Sequence, residues 1–209
     1  MKISKKLLII TTLLCFLPCV VGLIMWSSLP TSIPAHWNAQ GEIDSYMPKA
    51  VVVFALPAFL AVVHLVCHFA TKFDKRSKNY SKALFVFVCW LIPVLSNFVM
   101  AVVYMTALGK QIDVPRIITA LLGVMFIIVG NYLPKCKQNL TMGIRLPWTL
   151  KSEENWNKTH RLSGWLGIIC GIVCLVLGII NKPVFVAAVI PLAVVVPVIY
   201  SFVLHKKKN

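Results

Sequence analysis

The 209-residue chain is strongly apolar, with 59% hydrophobic and 13% charged residues and a formal net charge of +15. Water-soluble domains carry roughly 25% charged residues, so this composition excludes an ordinary soluble domain. The apolar residues form six blocks without Asp, Glu, Lys or Arg, each close to the roughly 20 residues that a helix needs to cross a bilayer. Because backbone groups find no water in lipid, such continuous blocks predict helices. We therefore predict an all-α integral membrane protein with one six-span domain over residues 1–209 and spans at about 7–29, 50–70, 83–108, 117–133, 162–180 and 184–204.

The basic residues are distributed unevenly between the junctions of these spans. Seventeen of the 21 Lys and Arg residues lie at the two ends of the chain, between spans two and three, or between spans four and five. The other junctions hold four: Lys49, Lys110, Arg116 and Lys182. Because basic loops stay in the cytoplasm, this asymmetry predicts that both termini are cytoplasmic. It also accounts for the net charge, so no direct nucleic acid binding is predicted.

The predicted outer loop between spans one and two, here called the first loop (residues 30–49), contains six candidate ligand-binding residues. The run LPTSIPAHWNAQGEID (29–44) includes His36, Trp37, Asn38, Gly41, Glu42 and Asp44. One hypothesis is recognition of a cationic or amphipathic ligand, with Trp37 stacking and Glu42 and Asp44 supplying charge. A second is a metal site formed by His36, Glu42 and Asp44. The third, which residue chemistry alone favours, is a loop folded on itself, with Gly41 at a turn and Asn38 and Asp44 capping turns.

The predicted inner loop between spans four and five, here called the signature loop (residues 134–161), contains a helix start. Ser152 is a good N-cap, and the acids that follow it suit the positive end of a helix dipole. A short helix over about residues 153–161 is therefore predicted to lead into span five. Glu154 and Lys158 are one turn apart in that helix and are predicted to pair.

The same region has two groups of polar or rare residues. Four basic residues are suited to anionic lipid head groups: Lys135, Lys137, Arg145 and Lys151. Lipid attraction does not explain the rarer residues Asn131, Asn139, Gly143 and Trp148.

Polar side chains are few inside the spans. His64 and His68 lie one turn apart on span two, and Ser96 and Asn97 lie near the middle of span three. Such a cluster is able to bind a metal or to move protons. Interhelical hydrogen bonds, worth about 0.6 kcal/mol each, are the simpler hypothesis and the one we favour.

Two long motifs resemble those of a known family. The run GNYLPKCKQN…GIRLPWTLKSEENWNKTHRLSG resembles the signature of the SdpI family, bacterial membrane proteins that confer immunity to a secreted killing peptide. The run LPTSIPAHWNAQGEID is similar to the companion motif near the first span of those proteins. By resemblance, the inner signature comprises Asn131, Asn139, Gly143, Arg145, Pro147, Trp148, Thr149, Trp156 and His160. The outer one comprises His36, Trp37, Asn38, Gly41 and Asp44.

The resemblance implies a function, a location and partners. It implies immunity to a secreted antimicrobial peptide, exerted in the bacterial cytoplasmic membrane, and a second role in which the inner face captures a cytoplasmic transcriptional repressor. The partners expected are the lipid bilayer, the peptide toxin and that repressor. A six-span transporter of a small solute or lipid is the main alternative. The chain lacks Walker, HExxH and GxSxG motifs, so we predict no enzyme activity, catalytic residue, cofactor or metal.

Overall fold

The computed structural model describes residues 5–38, 40–76 and 82–207. It is 75% helical, and within those ranges six helical segments are long and apolar enough to cross a membrane. The prediction of an all-α, six-span membrane protein is therefore confirmed. The helices are α1 (Lys5–Cys15), α2 (Leu17–Ile24), α3 (Leu56–Phe73), α4 (Lys82–Ala107), α5 (Val114–Tyr132), α6 (Pro147–Lys151), α7 (Glu153–Ile179) and α8 (Val186–Lys206).

The cytoplasmic position of both termini stays a prediction. Three of the basic residues that enter the charge count, Lys2, Lys78 and Lys208, lie outside the described residues, as does Ala39 of the first loop. The chain forms two compact units, one of residues 1–72 and 85–114 and the other of residues 73–84 and 115–209.

In the first unit, the first span is broken into α1 and α2. Pro18 lies at the start of α2 and has no N–H, so the Leu14 carbonyl four residues earlier loses its helical donor. The side-chain amide of Asn97 in α4 donates to this carbonyl at 2.8 Å and also to the Pro93 carbonyl at 2.8 Å. One polar side chain inside a span thus satisfies a backbone group that lipid cannot.

The first loop is a β-hairpin, which the sequence interpretation did not anticipate. Strand β1 (Ser32–Trp37) pairs antiparallel with β2 (Ile43–Pro48), with Ser32 opposite Pro48 and Trp37 opposite Ile43. Ile33 is fully buried in a cluster of apolar side chains contributed by the first three spans. Burial of this side chain attaches the hairpin to the helices of its unit.

Five glycines allow α5 and α7 of the second unit to pack at backbone distance. A Cβ on Gly167 would lie 3.0 Å from the Gly130 Cα atom, and one on Gly123 would lie 2.8 Å from the Gly171 carbonyl oxygen. A larger residue at Gly123, Gly130, Gly167 or Gly171 would push the helices apart, because the nearest atoms there are backbone atoms. At Gly164 the nearest atoms belong to the Pro134 ring. A short 3₁₀ helix, Leu133–Lys135, then leads from α5 into the signature loop.

Candidate functional site

The tip of the hairpin is closed by Asn38 and Gly41. Asn38 Oδ1 accepts hydrogen bonds from the backbone N–H groups of Gln40 (3.0 Å) and Glu42 (2.9 Å). Gly41 has φ +86°, a conformation that side chains disfavour. Asn38 Nδ2 donates to the Glu42 carboxylate at 3.0 Å. The turn-forming roles expected of Asn38 and Gly41 are confirmed.

His36 and Asp44 form an exposed pair across the two strands. His36 Nδ1 and Asp44 Oδ1 are 2.6 Å apart. Asp44 therefore contacts a side chain on the facing strand, so the expectation that it caps a turn is wrong. Glu42 is bonded to Asn38 instead, and among the described residues no three His, Cys, Asp or Glu side chains converge as metal ligands would.

Trp37 and Lys49 connect the hairpin to the helices. Trp37 packs against the apolar cluster that buries Ile33, so only part of its ring is available for stacking. Lys49 Nζ donates to the carbonyls of Trp26 (2.9 Å) and Leu29 (3.0 Å) and stands 4.6 Å from the centre of the Trp26 ring. A cation at this position compensates the carbonyls at the end of the first span.

A cavity of about 520 Å³ opens between the hairpin tip and the segment that joins α4 to α5. Its lining residues are Trp37, Gly41, Ile43, Thr106, Lys110, Gln111, Ile112 and Asp113. We call it the hairpin groove. The two loops that line this groove are both predicted to be outside from the charge pattern, and alternation of the spans places them on the same side of the membrane. Sequence reasoning missed the α4–α5 side of this groove, because nothing in so short a segment indicated a site.

In the second unit, Asn139 organises the beginning of the signature loop. Its Oδ1 accepts from the backbone N–H groups of Thr141 (2.9 Å) and Met142 (2.7 Å), and its Nδ2 donates to the Lys137 carbonyl (2.9 Å) and the Cys136 sulfur (3.1 Å). The side chain is fully buried. Burial raises the pKa of the Cys136 thiol, and the hydrogen bond from Asn139 lowers it by a smaller amount.

Trp156 and His160 are buried, and Gly143 lies against the His160 ring. The Trp156 and His160 rings stack with centres 4.0 Å apart, and Trp156 Nε1 donates to the Cys136 carbonyl at 2.7 Å. His160 Nδ1 donates to the Trp156 carbonyl (2.8 Å), and its Nε2 accepts from the Ile144 N–H (3.1 Å). Gly143 has φ +97°, and a Cβ there would overlap His160 Nε2. Only glycine fits beside the ring.

The signature residues Pro147, Trp148 and Thr149 hold helix α6 in place. Pro147 occupies its first turn, where its missing N–H costs nothing, and Thr149 Oγ1 accepts from the Leu146 N–H at 2.8 Å. Trp148 Nε1 donates to Ser201 Oγ at 3.0 Å, and its ring stacks on His205 at 5.8 Å. Trp148 therefore ties the signature loop to α8.

The start of α7 has the interactions predicted for it. Ser152 caps the helix by accepting from the Asn155 N–H at 3.2 Å, and Lys158 Nζ lies 2.7 Å from Glu154 Oε1. The predicted short helix is wrong in extent, because α7 runs without a break from Glu153 to Ile179. No residue near position 161 interrupts it.

Asp74 is a site residue that sequence reasoning missed. Its Oδ2 accepts from the Leu140 N–H and the Thr141 hydroxyl, both at 2.8 Å, and its Oδ1 accepts from the Arg76 N–H at 2.7 Å. Arg76 in turn donates to Gln138 at 2.8 Å. A signal existed, since Asp74 is the single acid among the basic residues between spans two and three. Two loops predicted to be inside are joined by this carboxylate.

Arg145 and Asn131 are the exposed members of the inner set. Arg145 Nη1 donates to the Leu140 carbonyl at 2.6 Å, which leaves the rest of its guanidinium directed to solvent. Asn131 Oδ1 accepts from Lys135 Nζ at 3.0 Å. Neither belongs to the buried network of the signature loop.

His64, His68 and Asn97 of the second and third spans make interhelical contacts. His64 Nε2 lies 3.1 Å from Thr11 Oγ1, and His68 Nδ1 lies 3.6 Å from the Cys89 sulfur. His64 and His68 are both buried and contact different helices. Asn97 bonds the backbone of α1, as described above. These contacts agree with the simpler hypothesis that the polar residues of the spans form interhelical hydrogen bonds. Each of His64, His68 and Asn97 thus has a structural partner.

Comparisons with known proteins give matches that include most of both motifs. The SdpI/YfhL protein family model matches residues 135–201, and a domain of unknown function (DUF1648) matches residues 13–61. The chain is 26% identical over 208 residues, 98% of each sequence, to the immunity protein SdpI of Bacillus subtilis (strain 168). No solved structure matches the chain significantly. The resemblance of the chain to the SdpI family is thereby confirmed. His64, His68, Asn97 and Asn131 lie outside the two matched segments.

Proposed function

We propose that this chain is a member of the SdpI/YfhL family and a membrane immunity protein that protects the cell producing it from a secreted antimicrobial peptide. The observation that carries the proposal is the similarity to an immunity protein over 98% of both sequences, together with six spans in the described residues. Protection is exerted from the bacterial cytoplasmic membrane, with both termini in the cytoplasm, and involves no catalysis.

The hairpin groove is the proposed contact for the toxin. It combines residues of the family-like outer motif, Trp37 and Gly41, with polar side chains of the α4–α5 segment. On the orientation predicted from charge, it faces the side from which a secreted peptide arrives. An aromatic edge beside Asp113 and Gln111 offers both a stacking surface and polar partners to an amphipathic peptide.

A cavity-filling variant tests this contact. The wild-type protein and the Gln111→Trp variant are each produced in a toxin-sensitive cell. The lethal toxin dose is then measured for cells that contain equal amounts of the two proteins in their membranes. Wild type should raise the dose, and Gln111→Trp should remove most of the gain because the indole fills the groove. Gln40→Trp is the matched control, since Gln40 is exposed at the hairpin tip but does not line the groove.

Two results would contradict parts of the proposal. Full protection by Gln111→Trp would remove the hairpin groove from the mechanism. No protection by the wild-type chain against related peptides would withdraw immunity and favour the six-span transporter.

A signalling role is proposed for the opposite face. The buried network around Asn139 and His160 holds the signature loop in one conformation, and the exposed residues Lys137, Leu140 and Arg145 project from it. A rigid exposed loop of this kind suits capture of a cytoplasmic transcriptional repressor after the toxin binds.

Arg145 separates specific capture from general attraction. Arg145→Lys keeps the charge but loses the planar set of donors, while Arg145→Ala loses both. Cell fractionation with and without toxin measures how much repressor is recruited to membranes. This amount should fall in both variants. Wild-type recruitment by Arg145→Lys would show that charge alone is sufficient and would contradict a geometric role.

A further inference from the structure

A second cavity, of about 460 Å³, lies between the ends of α5 and α7 that adjoin the signature loop. Its walls combine a polar side and an apolar side, from Gly130, Asn131, Pro134, Lys135, Asn157, Arg161, Gly164, Trp165 and Ile168. We call it the α5–α7 cavity. Gly130, Pro134 and Gly164 line it where the two helices approach closely.

The polar side is rich in hydrogen-bond donors and in positive charge. Lys135 Nζ is oriented by its bond to Asn131 Oδ1 at 3.0 Å and retains two further N–H donors. Arg161 and Asn157 lie on successive turns of α7 and line the same wall. No residue that lines the cavity is acidic. This donor set suits a phosphate group, for which Arg and Lys are the usual partners.

The apolar side continues along a helix face that lies within a membrane span. Trp165 is 62% exposed, and Ile169 and Ile172 on the following turns are 54% and 51% exposed. These residues share one face of α7, which belongs to a candidate span. A phosphate bound at Arg161 would therefore sit at the top of an apolar track, as a phospholipid head group does above its acyl chains.

We propose that the α5–α7 cavity binds the phosphate of an anionic phospholipid, whose acyl chains lie along Trp165, Ile169 and Ile172. Lys135, Arg161 and Asn157 hold the head group, and Asn131 positions Lys135. The site gives a role to Asn131, one of the two exposed residues outside the buried network of the signature loop, because Asn131 orients Lys135. The proposal does not depend on immunity, since its test measures lipid and not protection.

The test is native mass spectrometry of the full-length protein purified in detergent. Dioleoyl phosphatidylglycerol is added in one arm, dioleoyl phosphatidylcholine in a second, and glycerol phosphate as a soluble competitor in a third. Wild type should retain phosphatidylglycerol in preference to phosphatidylcholine, and glycerol phosphate should not displace it. Arg161→Gln should weaken retention about fivefold, the usual effect of one basic residue at a lipid surface. Asn157→Asp should weaken it at least as much.

Lys151→Gln is the matched control, because Lys151 is an exposed basic residue of the signature loop that does not line the cavity. It should retain lipid as wild type does, and all variants should keep the wild-type melting temperature. An equal loss in Lys151→Gln and Arg161→Gln would overturn the site in favour of diffuse attraction. Equal retention of the two lipids would also overturn it. Displacement by glycerol phosphate would identify a soluble anion as the ligand instead.

Discussion

Asn97 donates its side-chain amide to the Leu14 carbonyl at 2.8 Å, and Leu14 is the acceptor that Pro18 leaves without a helical donor. The two features compensate each other across two spans. Asn97→Ala should therefore lower the free energy of unfolding by about 0.6–1.7 kcal/mol, the range for hydrogen bonds within membranes. In a Pro18→Ala background, where residue 18 again supplies an N–H, the same substitution should cost less. Unfolding titrations of the four proteins in mixed micelles measure this coupling, and equal costs in both backgrounds would contradict it.

Gly143 and Gly109 offer a comparison of two glycines with positive φ. Each has a left-handed backbone, at +97° and +78°, so alanine costs about 1–2 kcal/mol at either position. Gly109 has no atom within 4 Å of the added Cβ, whereas Gly143 faces the His160 ring. Gly143→Ala should lower the melting temperature several degrees more than Gly109→Ala. Equal losses would show that the His160 ring moves aside without cost.

Asp74 should control the order of the signature loop. Asp74→Ala leaves the Leu140 N–H and the Thr141 hydroxyl without their acceptor, a loss of about 1–3 kcal/mol. Trypsin should then cut the loop faster at Lys137, Arg145 or Lys151, which are exposed. Thr141→Val removes one of the two bonds and serves as the graded control. If the two variants are cut at the wild-type rate, the carboxylate does not hold this loop.

Cys136 should show the effect of burial on thiol reactivity. Burial disfavours the thiolate, so the pKa of Cys136 is raised, and labelling by a maleimide should begin at higher pH than at an ordinary thiol with a pKa of about 8.5. The comparison uses two chains with one cysteine each. The first retains Cys136 and has its other cysteines replaced, and the second has all native cysteines replaced and carries Lys151→Cys. Since the folded pKa is the higher one, the associated stability is present below the unfolded pKa and is lost as pH rises through the folded value. Identical labelling profiles would contradict this.

The orientation predicted from charge has a direct test. A membrane-impermeant thiol reagent should label Gln111→Cys in intact cells, because residue 111 lines the hairpin groove on the predicted outer side. Lys151→Cys should be labelled only after the cells are opened. Both side chains are exposed, so access to the membrane side is the difference measured. Labelling of Lys151→Cys from outside would reverse the topology and the roles proposed for both faces.

The spans were predictable because their signal is local. A block of about 20 apolar residues has one stable form in lipid, so composition along the chain was sufficient. The cap at Ser152 and the pair of Glu154 with Lys158 were predictable for the same reason, since they depend on neighbours within one helical turn. The hairpin was missed because two prolines, Pro34 and Pro48, lie within its strands, where proline usually argues against strand structure.

The sequence showed which residues of the candidate site are unusual in composition, but not which of them contact each other. The motif identified Gly143 and His160, which are 17 positions apart in the sequence, without showing that they touch. Asp74 binds residues more than 60 positions away, and no pattern in a single sequence encodes such a contact. The same is true of the hairpin groove, whose two sides come from segments about 70 residues apart.

The π-helical turn Val51–Ala55 at the start of the second span has a consequence for how this protein tolerates changes in length. A π turn accommodates one residue more than an α-helix over the same distance, and here it buries two successive residues, Val52 and Val53. Beyond it the buried side chains return to helical spacing through Ala61, His64 and His68. Deleting one residue within the turn would restore a plain α-helix and leave Ala61, His64 and His68 facing their partners. A deletion after Leu56 would instead rotate His64 and His68 by about 100° away from their partners. Loss of one residue within the turn should therefore disturb the contacts of His64 and His68 less than loss of a residue later in this span.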